Sequence, residues 1–155
     1  MQRIVLAVLH LLALGIGLGA IYSRARALQR VGASADALRR AFAADSWWGA
    51  AAVLWLTTGL WRAIVGTEKA PSYYMSNHIF RAKMGLLVLV LLLEIWPMVT
   101  LIRWRIAAGR RTLPEGVVLA STGRRLARVS DVQTLLIVAM VVAAVLMARG
   151  YGAAG

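Results

Sequence analysis

Four apolar runs, each long enough to cross a bilayer, dominate this chain of 155 residues. They extend over about residues 4–22, 47–65, 79–102 and 132–147. A hydrocarbon core about 30 Å thick needs roughly 20 helical residues. Within it, backbone groups can be paired only in helices or closed barrels, and no strand-like alternation occurs. The runs therefore predict an all-α integral membrane protein, a single domain over residues 1–155 built as an antiparallel four-transmembrane-helix bundle. Composition excludes the soluble alternative. Here 61% of residues are hydrophobic and 15% charged, against about 45–50% and about 25% in soluble domains. A chain this short cannot hide that excess in a water-soluble core, and it is too apolar for disorder. It has no cysteine, which rules out disulfides, thiolate zinc sites, iron–sulfur clusters and cysteine nucleophiles.

The net charge of +12 is read through topology. The loop after the first run carries Arg24, Arg26, Arg30, Arg39 and Arg40, and the third loop carries Arg103, Arg105, Arg110, Arg111, Arg124, Arg125 and Arg128. The opposite side holds Arg3, Arg62, Lys69, Arg81, Lys83 and Arg149. The positive-inside rule puts the two arginine-rich loops in the cytoplasm and both termini outside. Trp47, Trp48 and Trp104 would then mark the inner interface, and Trp61, Tyr73, Tyr74 and Tyr151 the outer one. The third loop, with Gly109, Pro114, Gly116 and Gly123, reads as irregular. The second, from Gly66 to Asn77, is short and is expected on the outer membrane surface. Ser34 is a candidate cap for a second helix that starts before its span, with Leu38, Arg39, Ala41 and Phe42 as an amphipathic lead-in. A cleaved signal peptide starting at Arg3 is the alternative for the first run. That run exceeds the usual 7–15 apolar residues, about, so a retained helix is expected.

Ionisable groups inside spans cost about 2.5–3.5 kcal/mol on insertion scales and are functional candidates by default. His10, Lys83 and Glu94 stand out. His10, Ala13, Gly17, Ala20 and Arg24 share one helical stripe, whose small residues leave room for a neighbouring helix or a flat ligand. Lys83, Leu87, Val90 and Glu94 form another stripe expected to face the bundle interior. Lys83 reads either as a functional group or as a snorkelling amine. Glu94 reads either as a paired or protonated carboxyl holding the bundle together or as a proton-handling group. Pro97 frees the Leu93 carbonyl beside it. Trp55, Thr58 and Arg62 lie on one face of the second run. Arg62, Arg81 and Lys83 make a basic rim above His10, suited to carboxylate or phosphate groups of a ligand or to lipid headgroups. Met75, His78, Met84 and Met147 gather thioethers and an imidazole near the outer end, a combination suited to Cu(I). Gly15 and Gly19 form a GxxxG pair fit for helix packing or a homo-oligomer. Phosphate loops, HExxH, GxSxG and nucleic-acid fold signatures are all missing.

The stretches LHLLALGIGLGAIYSR, TGLWR, TEKAPSYYMSNHIFRAKM and LLEIWPMVTLIRWR resemble a group of uncharacterised bacterial predicted membrane proteins of four helices, a domain of unknown function. SYYMSNHIFRAKM is the most specific of them. More distantly, the chain is similar to the HemJ-type protoporphyrinogen oxidases and to CopD-like membrane proteins. Leu9-His10, Arg24 or Arg26, Gly59-Leu60-Trp61 and Ala82-Lys83-Met84 stand where HemJ-type enzymes carry comparable residues. Arg81 replaces a histidine of that pattern, and Leu91, Leu92 and Glu94 replace later polar residues. The resemblance implies a bound haem b, with His10 as iron ligand and Lys83 coupled to it, and the basic rim read above would put the propionates toward Arg62 and Arg81. His78, Met84 and Met147 are the options for a second ligand. Electron transfer or porphyrin redox chemistry is the function so implied. The alternatives are a copper-handling protein, a cofactor-free structural or regulatory bundle, and proton-coupled transport through Glu94.

Overall fold

The computed structural model describes residues 1–65 and 77–152. Over these the chain forms four helices: α1 (Gln2–Leu28), α2 (Ala35–Ile64), α3 (His78–Arg110) and α4 (Gly116–Ala148). Helices α1, α3 and α4 are long and apolar enough to cross a membrane. Helix α2 is less apolar, because Trp47, Trp48, Trp55, Trp61, Thr57, Thr58 and Arg62 fall in its expected span. Each helix outruns the span read from the sequence. The 33 residues of α3 extend about 50 Å at 1.5 Å per residue, against a hydrocarbon core of about 30 Å.

Local chemistry sets the helix ends. Ser34 caps α2 as expected, its Oγ accepting from the Asp36 N–H at 3.2 Å. Asn77 caps α3, with Oδ1 accepting from the Ile79 and Phe80 N–H groups, while its Nδ2 donates to the Tyr151 carbonyl. The C-terminal end of α4 is thereby clasped to the start of α3. Helix α3 runs through Pro97 without a break and stops at Arg111, a left-handed C-cap with φ 56°, three residues before Pro114.

Helix α1 packs on α2 and on α4, α4 packs also on α3, and α2 touches α3 least. Around the bundle the order is α2–α1–α4–α3, with the α2–α3 seam loosest. The chain termini lie at one end and the arginine-rich turns at the other, here termed the basic end. Three groups of buried side chains stack along the bundle. Leu28, Val31, Leu38, Leu101, Trp104 and Leu126 fill the basic end. Ile21, Trp48, Val90 and Ile137 form the middle. Ala13, Trp55 and Met140 lie toward the termini.

Several expectations are corrected. The stretch around Gly116 and Gly123 is helical, so Arg124, Arg125 and Arg128 sit on α4 and the connection shrinks to residues 111–115. Gly123 is a packing position: a Cβ there would lie 2.7 Å from the Leu28 carbonyl oxygen. Trp48 and Trp104 are 5% and 6% exposed and belong to the core rather than to an interfacial belt, because each falls on the inward stripe of its helix. Trp47, Trp61 and Tyr151 are exposed. Arg24, read as a loop cation, is helical and fully buried. Lys69, Tyr73, Tyr74 and Met75, with the rest of the loop through residue 76, lie outside the described residues.

Candidate functional site

Both polar stripes turn inward. On α1, Ala13, Gly17, Ala20 and Arg24 are buried, and Gly17 lies against Trp48 and Ala51 of α2. Gly15 and Gly19 point away from the bundle, with open space at each. Two polar centres result, one at each end of the His10–Arg24 stripe.

The first is a cavity of about 490 Å³ toward the terminal end, lined by residues of all four helices. His10, Arg62 and Lys83 line it, with Trp55 and Gly59 of α2 and with Met84, Met140 and Met147. Leu14, Leu56, Leu60, Leu87, Val141 and Val145 make its walls largely apolar. The His10 ring is positioned from three sides. Its Nδ1 lies 3.0 Å from Thr58 Oγ1, and its face stacks on Trp55 with centroids 5.8 Å apart. A Cβ on Gly59 would lie 2.9 Å from its Cε1. The Thr58 hydroxyl donates to the Leu54 carbonyl at 2.7 Å, so its single proton is spent and it accepts from His10 Nδ1–H. Arg62 and Lys83 both line this part of the cavity.

The volume falls within the range of about 300–1,000 Å³ typical of ligand sites, and the apolar walls with a few polar groups match their usual chemistry. Gly59→Ala should push the imidazole off Thr58 and cost about 1–3 kcal/mol. Thermal unfolding in detergent, with the His10 ring nitrogen shifts read by NMR, checks this. An unchanged ring would mean that Gly59 is not what seats it.

The remaining sequence candidates lie elsewhere. His78, the first residue of α3, is exposed and does not line the cavity, so it does not meet His10. Arg81 is likewise exposed and outside the cavity. On a helix, offsets of −5 and −2 from Lys83 turn these side chains away from the face Lys83 presents. Among the described residues no group of three or more His, Asp or Glu side chains is arranged to hold a metal ion.

The second centre is an ionic layer built around Arg24, and it contains Glu94. Arg24 donates to both Glu94 oxygens, Nη1 at 2.6 Å and Nη2 at 2.8 Å. Nη1 also reaches Asp45 at 2.9 Å, Nη2 reaches Gln133 Oε1 at 3.1 Å, and Nε reaches Ser130 Oγ at 3.2 Å. All five guanidinium donors are used, and all four helices contribute. Gln133 Nε2 returns a bond to Glu94 at 2.8 Å and another to the Val90 carbonyl. Arg105 closes the layer on Asp45 at 3.0 Å. Two guanidinium groups thus face two carboxylates, the balance a buried charge needs.

Asp45, Ser130, Gln133 and Arg105 were not singled out from the sequence. The signal for three of them was present. Asp45 precedes Trp48 by three residues and Trp55 by ten, and Gln133 falls in the stripe Leu126, Ser130, Gln133, Ile137, Met140, each on the buried face of its helix.

A family model matches residues 2–152, nearly the whole chain. The chain belongs to the family described as predicted membrane protein (DUF2214). No curated protein and no solved structure matches it. Membership in a membrane-protein family accords with α1, α3 and α4 being long and apolar enough to cross a bilayer.

Proposed function

We propose that this protein binds haem b in the four-helix cavity, with His10 as iron ligand, and serves electron transfer or porphyrin redox chemistry at the outer face of a bacterial inner membrane. The observation that carries the reading is an imidazole locked by Thr58 and Trp55 in the wall of a largely apolar cavity of about 490 Å³. An axial histidine commonly has its second nitrogen engaged by a hydrogen bond that fixes ring and tautomer. The macrocycle would bring four of the iron's ligands itself, so no cluster of protein ligands is needed. Leu14, Leu56, Leu87 and Val141 suit its apolar faces, and Arg62 and Lys83 suit its carboxylates. When bound, haem supplies one-electron chemistry. The protein's own residues orient it and exclude water. The positive-inside rule places the basic end in the cytoplasm and both termini outside, and hence the cavity in the outer half of the membrane.

The test is an absorption spectrum of the purified protein in detergent, oxidised and reduced, after expression with a haem precursor. A Soret band with reduced α and β bands is expected. His10→Ala should abolish it, while Arg62→Ala and Lys83→Ala should weaken retention by about tenfold each, the effect of losing one charged hydrogen-bond partner. A colourless wild type would remove the haem reading.

One observation favours a second reading. Met84, Met140 and Met147 line the same cavity as His10, a thioether–imidazole set suited to Cu(I). Stoichiometric copper in protein expressed with copper, lost in His10→Ala, would select it. A bundle with neither haem nor copper would stand as a cofactor-free structural protein.

A further inference from the structure

We infer that the arginine face centred on α4, at the basic end, binds the phosphate headgroups of anionic lipids. The ionic layer supplies its depth. Arg24, Glu94 and Gln133 are in mutual contact, so they mark one level on α1, α3 and α4. Counted from that level at about 1.5 Å per residue, Arg128 and Arg30 lie about 8–9 Å and Arg103, Arg124 and Arg125 about 12–14 Å further toward the basic end. Helix α4 sits between α1 and α3, so Arg30 and Arg103 flank Arg124, Arg125 and Arg128. All five side chains are exposed.

Two further observations identify the occupant. The exposed aromatics Tyr22, Trp47 and Trp96 each stand two residues from Arg24, Asp45 or Glu94, and so mark the level of the ionic layer on α1, α2 and α3. Such side chains favour the headgroup boundary, which puts the five arginines about one headgroup depth beyond it, within reach of phosphates on their flexible stems. Ile102 and Ile106, exposed on α3 beside Arg103, continue apolar surface into the same region, as an amphipathic partner requires.

The carboxylates of this end are engaged elsewhere. Asp45 and Glu94 bind Arg24, Asp131 pairs with Arg26, and Asp36 pairs with Arg39 and Arg40. The hydrogen bond from Arg39 holds the Asp36 carboxyl below its usual range. Among the described residues, none of the five arginines has a carboxylate partner, Glu115 at the start of α4 included. A planar guanidinium engages phosphate through paired N–H bonds, and polybasic surfaces at this depth attract anionic lipid.

The test is a native mass-spectrometric titration of the full chain in detergent with phosphatidylglycerol, with phosphatidylcholine and with glycerol 3-phosphate. Phosphatidylglycerol is expected to bind the wild type at least tenfold more tightly than phosphatidylcholine, and glycerol 3-phosphate not to bind. Arg124→Gln/Arg125→Gln/Arg128→Gln should lower phosphatidylglycerol affinity roughly a hundredfold. The single Arg125→Gln should lower it about fivefold and carries the test if the triple variant does not fold. Arg39→Gln/Arg40→Gln, whose side chains are already paired, should change it by less than about threefold. Equal affinity for the two lipids, or full retention by the arginine variants, would overturn the assignment. Binding of glycerol 3-phosphate as tight as that of the lipid would overturn it in favour of a soluble-anion site.

Discussion

Arg24→Met is expected to destabilise the bundle by about 3–5 kcal/mol, the cost of removing one partner from a buried ion pair. The guanidinium is fully buried and contributes five hydrogen bonds from α1 to the other three helices. Without it, the Glu94 carboxylate keeps only the Gln133 amide bond and must be protonated or hydrated in an apolar setting. Asp45 keeps Arg105. The damage should therefore concentrate on Glu94, and Arg24→Met/Glu94→Leu should recover half or more of the loss, because well-packed apolar replacements of a buried pair are often neutral. Unfolding of the four variants in detergent, treated as a double-mutant cycle, measures the coupling. A coupling near zero would mean that the pair does not act as a unit. In this geometry Glu94 is a paired carboxyl that ties α1, α3 and α4 together.

Gly123→Val is the second large effect, at about 3 kcal/mol, the upper range for overpacking. A Cβ there would lie 2.7 Å from the Leu28 carbonyl oxygen and 3.4 Å from the Val31 Cβ. Leu28 is backbone at the end of a helix and cannot swing aside, so α1 and α4 would have to separate. That separation would open the group of side chains containing Leu28, Leu101, Trp104 and Leu126. Gly109→Ala, at a position with open space, is the control and should be neutral or slightly stabilising through helix propensity. Thermal unfolding compares the two, and equal behaviour would sink the packing role of Gly123.

The inward stripes were legible because a helix repeats every 3.6 residues. Spacing alone put Ala13, Gly17, Ala20 and Arg24 on the face of His10, and Val90 and Glu94 on that of Lys83. Ser34 was legible as a cap because its hydroxyl precedes a helix-forming run. Two of the misreadings share a cause. Arg24 and the α4 segment from Gly116 to Asp131 are polar or interrupted by glycine, and polarity beside an apolar run resembles a loop. Their burial depends on partners far away in sequence. Arg81 was read with the outer basic rim and His78 with the outer loop, whereas on α3 both are exposed and outside the cavity.

The amino-acid sequence by itself determined that the chain is helical and membrane-bound, how many helices it forms and which face of α1 and of α3 turns inward. These follow from local quantities, namely the apolar length of a run and the phase of its polar residues. Only the tertiary structure decided which inward residues meet. Glu94 lies 70 residues from Arg24, and Thr58 lies 48 from His10. Those meetings depend on the axial register between helices, and register is set by contacts such as Gly123 against Leu28 and Gly17 against Trp48, which no single helix contains.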